Sequence, residues 1–344
     1  MKFHLFIGLF ILNILIEKRS NNVKLSFVII GKNEANNIEK CIFSIVNNCN
    51  LKDYEIIFID SNSSDNTLEI LKRKEFSFVK KFKLKSNMYS AALARDVGAR
   101  VAKGKFLFFI DADMEIEENS NIEWCINLFN DKNMGIVSGE LNEIWLKNKL
   151  VINKIFNIFD VKSENDNLKS PGGYFITKKI YYKEVGGFDI TLKCNEEVNL
   201  FSRYKKINKK LIRTNKLSCL HNNEKDSVNK SHLSRFTSKY YADFWRAIFK
   251  SIKGNYLKEY LSFSAQIRMI RSIIITFLMM ITIFISFKNS LFIIIPILYY
   301  FLLIVKYKYN VKLMLFNQLN SILVLFSLIF SFKKINIKYE IFEV

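Results

Sequence analysis

An α/β fold with a parallel sheet covered on both faces, followed by an apolar helical region, is what this sequence predicts. Three observations carry the reading. Apolar runs of strand length alternate with amphipathic helical segments between residues 24 and 111. The ends of those strands are polar and rich in acids. Residues 272–332 are overwhelmingly apolar, whereas residues 20–260 have a mixed, globular composition.

The elements follow in order. "KLSFVIIG" (24–31) is a continuous apolar run ending at Gly31, as a buried strand requires. "ANNIEKCIFSIVNN" (35–48) places Ile38, Cys41, Ile42 and Ile45 at helical spacing. "YEIIFID" (54–60) is the second strand, "DNTLEILKRK" (65–74) the second helix and "FSFVKKF" (76–82) a third strand. The Ala-rich "YSAALARDVGARVAKG" (89–104) is helical, and "KFLFFID" (105–111) is the next buried strand. Beyond Asp113 the alternation loosens. A helix near 120–131, a strand at "GIVSGEL" (135–141) and a polar helix at "NEEVNLFSRYKK" (195–206) are expected. "PGGYFITKKIYYKEVGGFD" (171–189) sets two Gly-Gly turns around a strand and a short helix.

The 344 residues suffice for one large domain plus an appendage. The net charge of +20 is read as a Lys-rich solvated surface that suits anionic lipids and anionic substrates, and no nucleic-acid partner is expected. Five scattered cysteines, Cys41, Cys49, Cys125, Cys194 and Cys219, form no CxxC pair, which argues against a disulfide framework or structural zinc.

Residues 3–16, "FHLFIGLFILNILI", followed by "EKR", read as a short membrane anchor whose basic flank keeps the next domain in the cytosol; a buried first helix is the alternative. "SIIITFLMMITIFISF" (272–287) and "LFIIIPILYYFLLIV" (291–305) read as a membrane hairpin. A third run, 313–332, carries Asn317, Gln318 and Asn320. The basic segments 306–312 and 333–338 both look cytosolic, which a full third span cannot satisfy. Residues 234–256 are basic and aromatic and read as an interfacial helix or a packed linker. The expected division is an apolar segment 1–20, a catalytic domain 21–233, a linker 234–270 and a transmembrane region with its tail, 271–344. The whole is expected to be multi-pass, with membrane lipids as partners and the catalytic domain on the cytosolic side.

Ligands of an open parallel sheet bind beyond the carboxyl ends of its strands. Three such ends are polar here: "GKNEA" (31–35), "DSNSSDNT" (60–67) and "DAD" (111–113). Neither a G-x-G-x-x-G fingerprint nor a P-loop occurs. Asp111 and Asp113 lie on one face of an extended segment, and two carboxylates there need a neutralising cation. Mg2+ or Mn2+ with a bound diphosphate does this; a solvated turn is the plainer explanation of an isolated D-x-D.

The chain resembles family 2 glycosyltransferases. The resemblance rests on "SFVIIGKNEANNIEKCIFSI" (26–45), "EIIFIDSNSSDNTLEI" (55–70), "ALARDVGARVAKGKFLFFIDAD" (92–113), "GGYFITKKIYYKEVGGFD" (172–189) and "NEEVNLFSR" (195–203), in the family's order. It implies the GT-A (nucleotide-diphospho-sugar transferase) fold with its Rossmann-like sheet, a nucleotide-sugar donor and a glycan or lipid-linked acceptor. Gly31, Asn33 and Glu34 would line the nucleotide pocket. Asp60 and Ser61 would contact base or ribose, and Arg95 and Asp96 would close the donor site. Asp111 and Asp113 would bind metal and diphosphate, with His221 as a further metal ligand or a plain histidine. Glu196 and Glu197 fall in the family's acidic helix, with Glu197 at the general-base position. Glu197 and Asn199 replace the usual aspartates, and the plainer reading is an acidic helix start.

A single inverting transfer is the expected activity, since no Q-x-x-R-W follows the acidic helix. A polyprenyl-phosphate acceptor, which needs no base, is one alternative. A catalytically inactive carbohydrate-binding or scaffold protein is another.

Overall fold

A computed structural model describes residues 23–147, 150–224, 241–286, 294–299 and 321–344. The expected anchor at 3–16 and much of the second and third apolar runs lie outside these residues. The chain divides into two compact units, one formed by residues up to Val228 together with Ile335–Val344, the other by Asn229–Lys334.

The first unit begins β1 (Leu25–Gly31), α1 (Ile38–Asn48), β2 (Tyr54–Asp60), α2 (Thr67–Leu71), β3 (Val79–Ser86), α3 (Ala91–Val101) and β4 (Phe106–Asp111). It continues with β5 (Met114–Ile116), α4 (Ile122–Asn127), β6 (Met134–Lys147), β7 (Leu150–Ile155), β8 (Asp166–Asn167) and β9 (Phe175–Lys178). Then come α5 (Lys179–Glu184), α6 (Glu196–Lys206) and β10 (Lys210–Glu224). The second unit contributes α7 (Ala242–Lys253), α8 (Leu257–Leu261), α9 (Ser264–Ser286) and α10 (Leu328–Ser331), before β11 (Tyr339–Glu343) returns to the first.

The sheet is mixed rather than wholly parallel. Its order is β11-β3-β2-β1-β4-β9-β6-β10-β5, with β7 on β6 and β8 on β10. The block β3-β2-β1-β4 is parallel, as expected. β9 then enters antiparallel between β4 and β6, and β5 and β11 are antiparallel too.

Within this block β1, β2 and β4 are buried on both faces, which explains their unbroken apolar runs, whereas β3 is mostly half-buried. On one face Phe27, Phe58 and Phe108 join Ile38, Cys41, Ile42 and Ile45 of α1 in one cluster. Burying one such phenyl ring stabilises by about 1.5–3 kcal/mol. On the other face α3 lies against Val28 and Ile59. A Cβ on Gly98 would stand 2.3 Å from Val28 Cγ1, so glycine is what lets the helix come this close. Ser90 caps α3 by accepting from Leu93 N–H at 3.1 Å. All five cysteines are buried and unbridged.

β11 pairs with β3 from Tyr339↔Ser86 to Glu343↔Phe82. Sequence grouped these last residues with the apolar region; they form an edge of the first unit's sheet instead.

Within the second unit, α7 starts at Ala242. Arg246 contacts Asp243 and donates to the carbonyls of Ser331 at 3.2 Å and Phe330 at 2.6 Å, and Trp245 donates to Val324 O at 2.7 Å. These bonds tie α7 to residues of its own unit, while Phe249 and Ile252 remain exposed on it. Ser264–Ile285 has a mean hydropathy of 2.0 and is, among the described residues, the one helix long and apolar enough to cross a membrane.

Candidate active site

Register brings the polar strand ends together. Gly31 stands beside Asp60, and Ile30 beside Asp111. The loops after β1 and β2 are knit by hydrogen bonds. Asn33 N–H donates to Ser63 Oγ at 2.8 Å, Ser64 N–H donates to Asn33 Oδ1 at 2.8 Å, and Glu34 N–H donates to Thr67 Oγ1 at 2.8 Å. Ala35 N–H donates to Asp65 Oδ2 at 3.1 Å. Asn33 holds φ +62°, a left-handed conformation that asparagine tolerates.

Asp60 is fully buried, and Ser63 donates to its carboxylate through both N–H, at 3.0 Å, and hydroxyl. Its side chain thus braces the turn after β2. Ser61 ties its backbone N–H to Gly31 O at 2.9 Å.

Glu34 accepts from Asn37 Nδ2 at 2.8 Å and converges with the β4 tip. Its carboxyl is pushed up to about 7, chiefly by burial and further by the charges of Asp113 and Asp111.

Arg95 is the centre of the site. Its side chain is 3% exposed, and Nη2 donates to Asp111 Oδ1 at 2.7 Å. Nη1 lies 3.2 Å from Glu196 Oε1 and 3.7 Å from Glu197 Oε1. Burial works against the cation, but Asp111, Glu197 and Glu196 together hold it charged. α6 delivers both glutamates from its first turn, just after Asn195 at φ +58°.

Glu197 is buried and its carboxyl is pushed up to about 7 by burial and by Glu196 and Asp111, against the pull of Arg95 and of the Gly173 backbone. Gly173 sits at φ +81°, and a Cβ there would meet Met114 Cε at 2.6 Å and Asp111 Oδ2 at 3.2 Å. Gly173 therefore lets the backbone pass close to the β4 tip while its N–H reaches Glu197. Burial also raises Asp111 and Glu196 above the usual carboxylate range.

Asp113 Oδ2 lies 3.2 Å from His221 Nε2, while Asp113 Oδ1 is buried without a hydrogen-bond partner. β5 and β10 create this meeting, since their antiparallel register sets His221 opposite Met114. His221 Nδ1 lies 3.7 Å from Glu143 Oε1, its neighbour on β6. Although burial opposes it, the bond to Asp113 and the surrounding carboxylates raise the imidazole above its ordinary value.

Among the described residues no group of three or more His, Cys, Asp or Glu side chains is placed to hold a metal ion. One oxygen of Asp111 is turned to Arg95, so the expected trio is not assembled as a set of three. Asp113 and His221 do fit a divalent cation. The orphaned Asp113 Oδ1 and the mutual repulsion at Glu34 mark a place short of positive charge, and Mg2+ and Mn2+ commonly take few protein ligands plus phosphate oxygens.

Asp96 is not brought to this cluster. Its carboxylate accepts from Tyr182 Oη at 2.8 Å and Arg100 Nε at 2.7 Å, and Tyr182 Oη in turn accepts from Phe188 N–H at 3.0 Å. One residue along a helix turns a side chain by about 100°, so Arg95 and Asp96 face different neighbours. Glu143 is the site residue that sequence reasoning missed. It belongs to no motif, and only the β6–β10 register places it beside His221.

The geometry defines an α/β domain of the GT-A type, with an acid-rich crevice at the carboxyl ends of its parallel strands. Residues 26–182 match the model of Glycosyl transferase family 2, and this stretch of the chain is a family 2 glycosyltransferase domain. Two curated relatives are named for one acceptor. The poly(ribitol-phosphate) beta-glucosyltransferase of Bacillus spizizenii is 31% identical over 36% of this chain and 20% of its own length. TarP, the poly(ribitol-phosphate) beta-N-acetylglucosaminyltransferase of Staphylococcus aureus, is 29% identical over 34% and 36%. The cholesterol galactosyltransferase of Borreliella burgdorferi is 34% identical over 34% of this chain and 32% of its own. The matches thus span between a fifth and just over a third of those relatives' own lengths. Among solved structures, GalNAc-T7 with UDP, GalNAc and Mn2+ has a TM-score of 0.53 at 16% identity, covering 72% of this chain and 57% of its own. S. aureus TarS 1–349 has 0.50 at 17%, covering 70% and 73%. At these identities the structures show the shared fold.

Proposed function

We propose that the protein is a membrane-anchored, inverting glycosyltransferase moving a sugar from a nucleotide-diphosphate donor to a lipid-linked acceptor in a single transfer. The observation that carries this reading is the Arg95 bridge. It joins Asp111, at the strand end where a donor diphosphate would lie, to Glu196 and Glu197, where an acceptor base is needed.

Glu197 takes the acceptor hydroxyl proton as the hydroxyl oxygen attacks the anomeric carbon. A carboxyl raised to about 7 is well matched to that role near neutral pH. Its Oε1 is buried, 3.7 Å from Arg95 Nη1, and accepts no hydrogen bond. Arg95 fixes the carboxylate's position. Asp113 and His221 would hold Mg2+ or Mn2+, which supplies positive charge to the departing diphosphate. Asn33, Glu34 and the Asp60-braced turn form the wall for the nucleotide.

What supports a lipid-linked acceptor is the hairpin beyond Glu143. Ile155 pairs with Glu143, and Leu150, Val151, Ile155 and Phe156 are all exposed. An apolar ribbon continuous with the site suits a lipid such as the sterol in the third relative's name better than a polyol phosphate. A membrane anchor is supported by α9. Because β10 and β11 lie in one sheet, a chain that crosses a bilayer between them does so an even number of times.

The test is transfer from labelled UDP-, GDP- and CDP-sugars, with Mn2+, to lipid and soluble glycan acceptors. Lipid-dependent transfer that disappears in Asp113→Ala supports the reading. Undiminished transfer by that variant overturns the metal assignment, and transfer to soluble glycans alone overturns the acceptor class.

A further inference from the structure

At the far end of β4 from Asp111 the first unit contains a cavity of about 480 Å3. It opens where Phe106 pairs with Lys178, so the length of a strand, about 17–20 Å, separates it from the acid crevice. Its volume is within the range of small-molecule sites.

Five of its eight lining residues are lysines: Lys103, Lys105, Lys178, Lys179 and Lys183. No acid lines it. The whole chain has 52 Lys and Arg among 344 residues, so general basicity does not produce this density. The ammonium groups are also partly fixed. Lys178 Nζ donates to Phe129 O at 2.6 Å, and Lys179 Nζ donates to Ala102 O. One acceptor uses one of three N–H groups, leaving donors for a ligand. Burial and the neighbouring Lys183 hold Lys179 below the ordinary lysine value, with Glu55 pulling the other way. Lys103, Lys105 and Lys183 are exposed and Lys178 and Lys179 half-buried, and like charges grouped around a cavity without a lining carboxylate are stabilised by an anion. Phe106 and the exposed Ile180 add carbon surface beside them.

We propose that this cavity binds a phosphate-bearing anion, through the ammonium groups of Lys103, Lys105, Lys178, Lys179 and Lys183, at a site separate from the donor crevice. Several ammonium donors suit a phosphate ester, and the carbon surface suits its organic part. The same chemistry is offered by a soluble oligophosphate and by the headgroup of an anionic lipid.

The test uses the full chain in neutral detergent at about 0.15 M salt, where charges beyond roughly 8 Å are screened. EDTA is present so that the crevice binds no metal–diphosphate. Sodium tripolyphosphate and soluble dihexanoyl phosphatidylglycerol are titrated calorimetrically, with dihexanoyl phosphatidylcholine as the uncharged-headgroup comparison. The variant Lys103→Gln/Lys105→Gln/Lys183→Gln is set against Lys40→Gln/Lys52→Gln/Lys74→Gln, which removes equal charge elsewhere. Saturable binding weakened at least tenfold in the first and less than twofold in the second is expected. Tripolyphosphate binding identifies a soluble source, and binding of phosphatidylglycerol alone a lipid source. Equal weakening in both variants, or no saturable binding of either probe, overturns the proposal. Should the triple variant fail to fold, Lys183→Glu is read in the same way.

Discussion

Arg95 Nη2 donates to Asp111 Oδ1 at 2.7 Å across sixteen residues of sequence, joining the helix before β4 to that strand's tip. The same guanidinium reaches Glu196 and Glu197 on α6, so one buried cation holds three carboxylates. Arg95→Met leaves those carboxylates without their partner. We expect destabilisation of about 3–5 kcal/mol, the usual cost of breaking a buried ion pair from one side. Arg95→Lys keeps the charge but not the fork, so it is expected to fold while losing about 100-fold in kcat/KM. Urea unfolding and steady-state transfer separate the two effects.

As the proposed general base, Glu197 would set the pH dependence of transfer. Its carboxyl is raised to about 7, and a general base must be ionised, so the rate should climb as pH passes through about 7. Stability moves the other way. A carboxyl raised in the folded state binds more protons there than in the unfolded chain. Its contribution is present below about 4.5 and is lost as pH rises through about 7. Glu34, also at about 7, adds to the same slope. Glu197→Gln should cut transfer to a hydroxyl acceptor by about 10²–10⁴. It should also flatten the fall in melting temperature between pH 5 and pH 8. Full turnover by this variant would point to an acceptor that is already ionised.

How far the sequence reveals this molecule depends on burial. β1, β2 and β4 are legible because Phe27, Ile57 and Phe109 leave no solvent-facing row to interrupt the apolar run. β10 is not, since an irregularity between Thr214 and Ser218 breaks its alternation and its site end is polar. Asn222 there donates to Glu115 Oε1 at 2.8 Å, a role no local pattern announces. β7, exposed along its length, belongs to none of the elements expected from sequence. In the crevice, Asp111 and Asp113 stand out because they end a buried strand. Glu143 and the true partners of Asp96 arise from pairings distant in sequence, which a local reading does not reach.

The proposed cation site is open to ligand-linked unfolding. A ligand that binds the native state raises its melting temperature. In the wild type, UDP or GDP with Mn2+ should raise it by several degrees, and EDTA should abolish most of that rise. Asp113→Asn and His221→Ala should each weaken the apparent Mn2+ affinity about tenfold or more, seen as a rightward shift in a Mn2+ titration at fixed nucleotide. Asp96→Asn, whose carboxylate serves Tyr182 and Arg100, should lower the starting melting temperature but leave that titration in place. A Mn2+ dependence unchanged in both site variants would remove Asp113 and His221 from the cation site.

β11 leads to the last prediction. It covers β3 through five residue pairs, and its backbone is supported by Lys338 N–H donating to Asn87 Oδ1 at 3.1 Å. Removing residues 335–344 uncovers the edge of β3, a row of unpaired donors and acceptors ready to join another chain. The truncated protein should therefore melt lower and self-associate, with a concentration-dependent shift in size-exclusion chromatography. Sidedness follows from the same pairing. A strand in the first unit's sheet must lie on that unit's side of any membrane the chain crosses. In sealed vesicles, a cysteine at Val344 should thus react with an impermeant maleimide on the same side as one at Lys52, in a background lacking the native thiols. Labelling on opposite sides would mean that β11 leaves the sheet when the protein enters a bilayer, and then the β3 edge would be open for another strand.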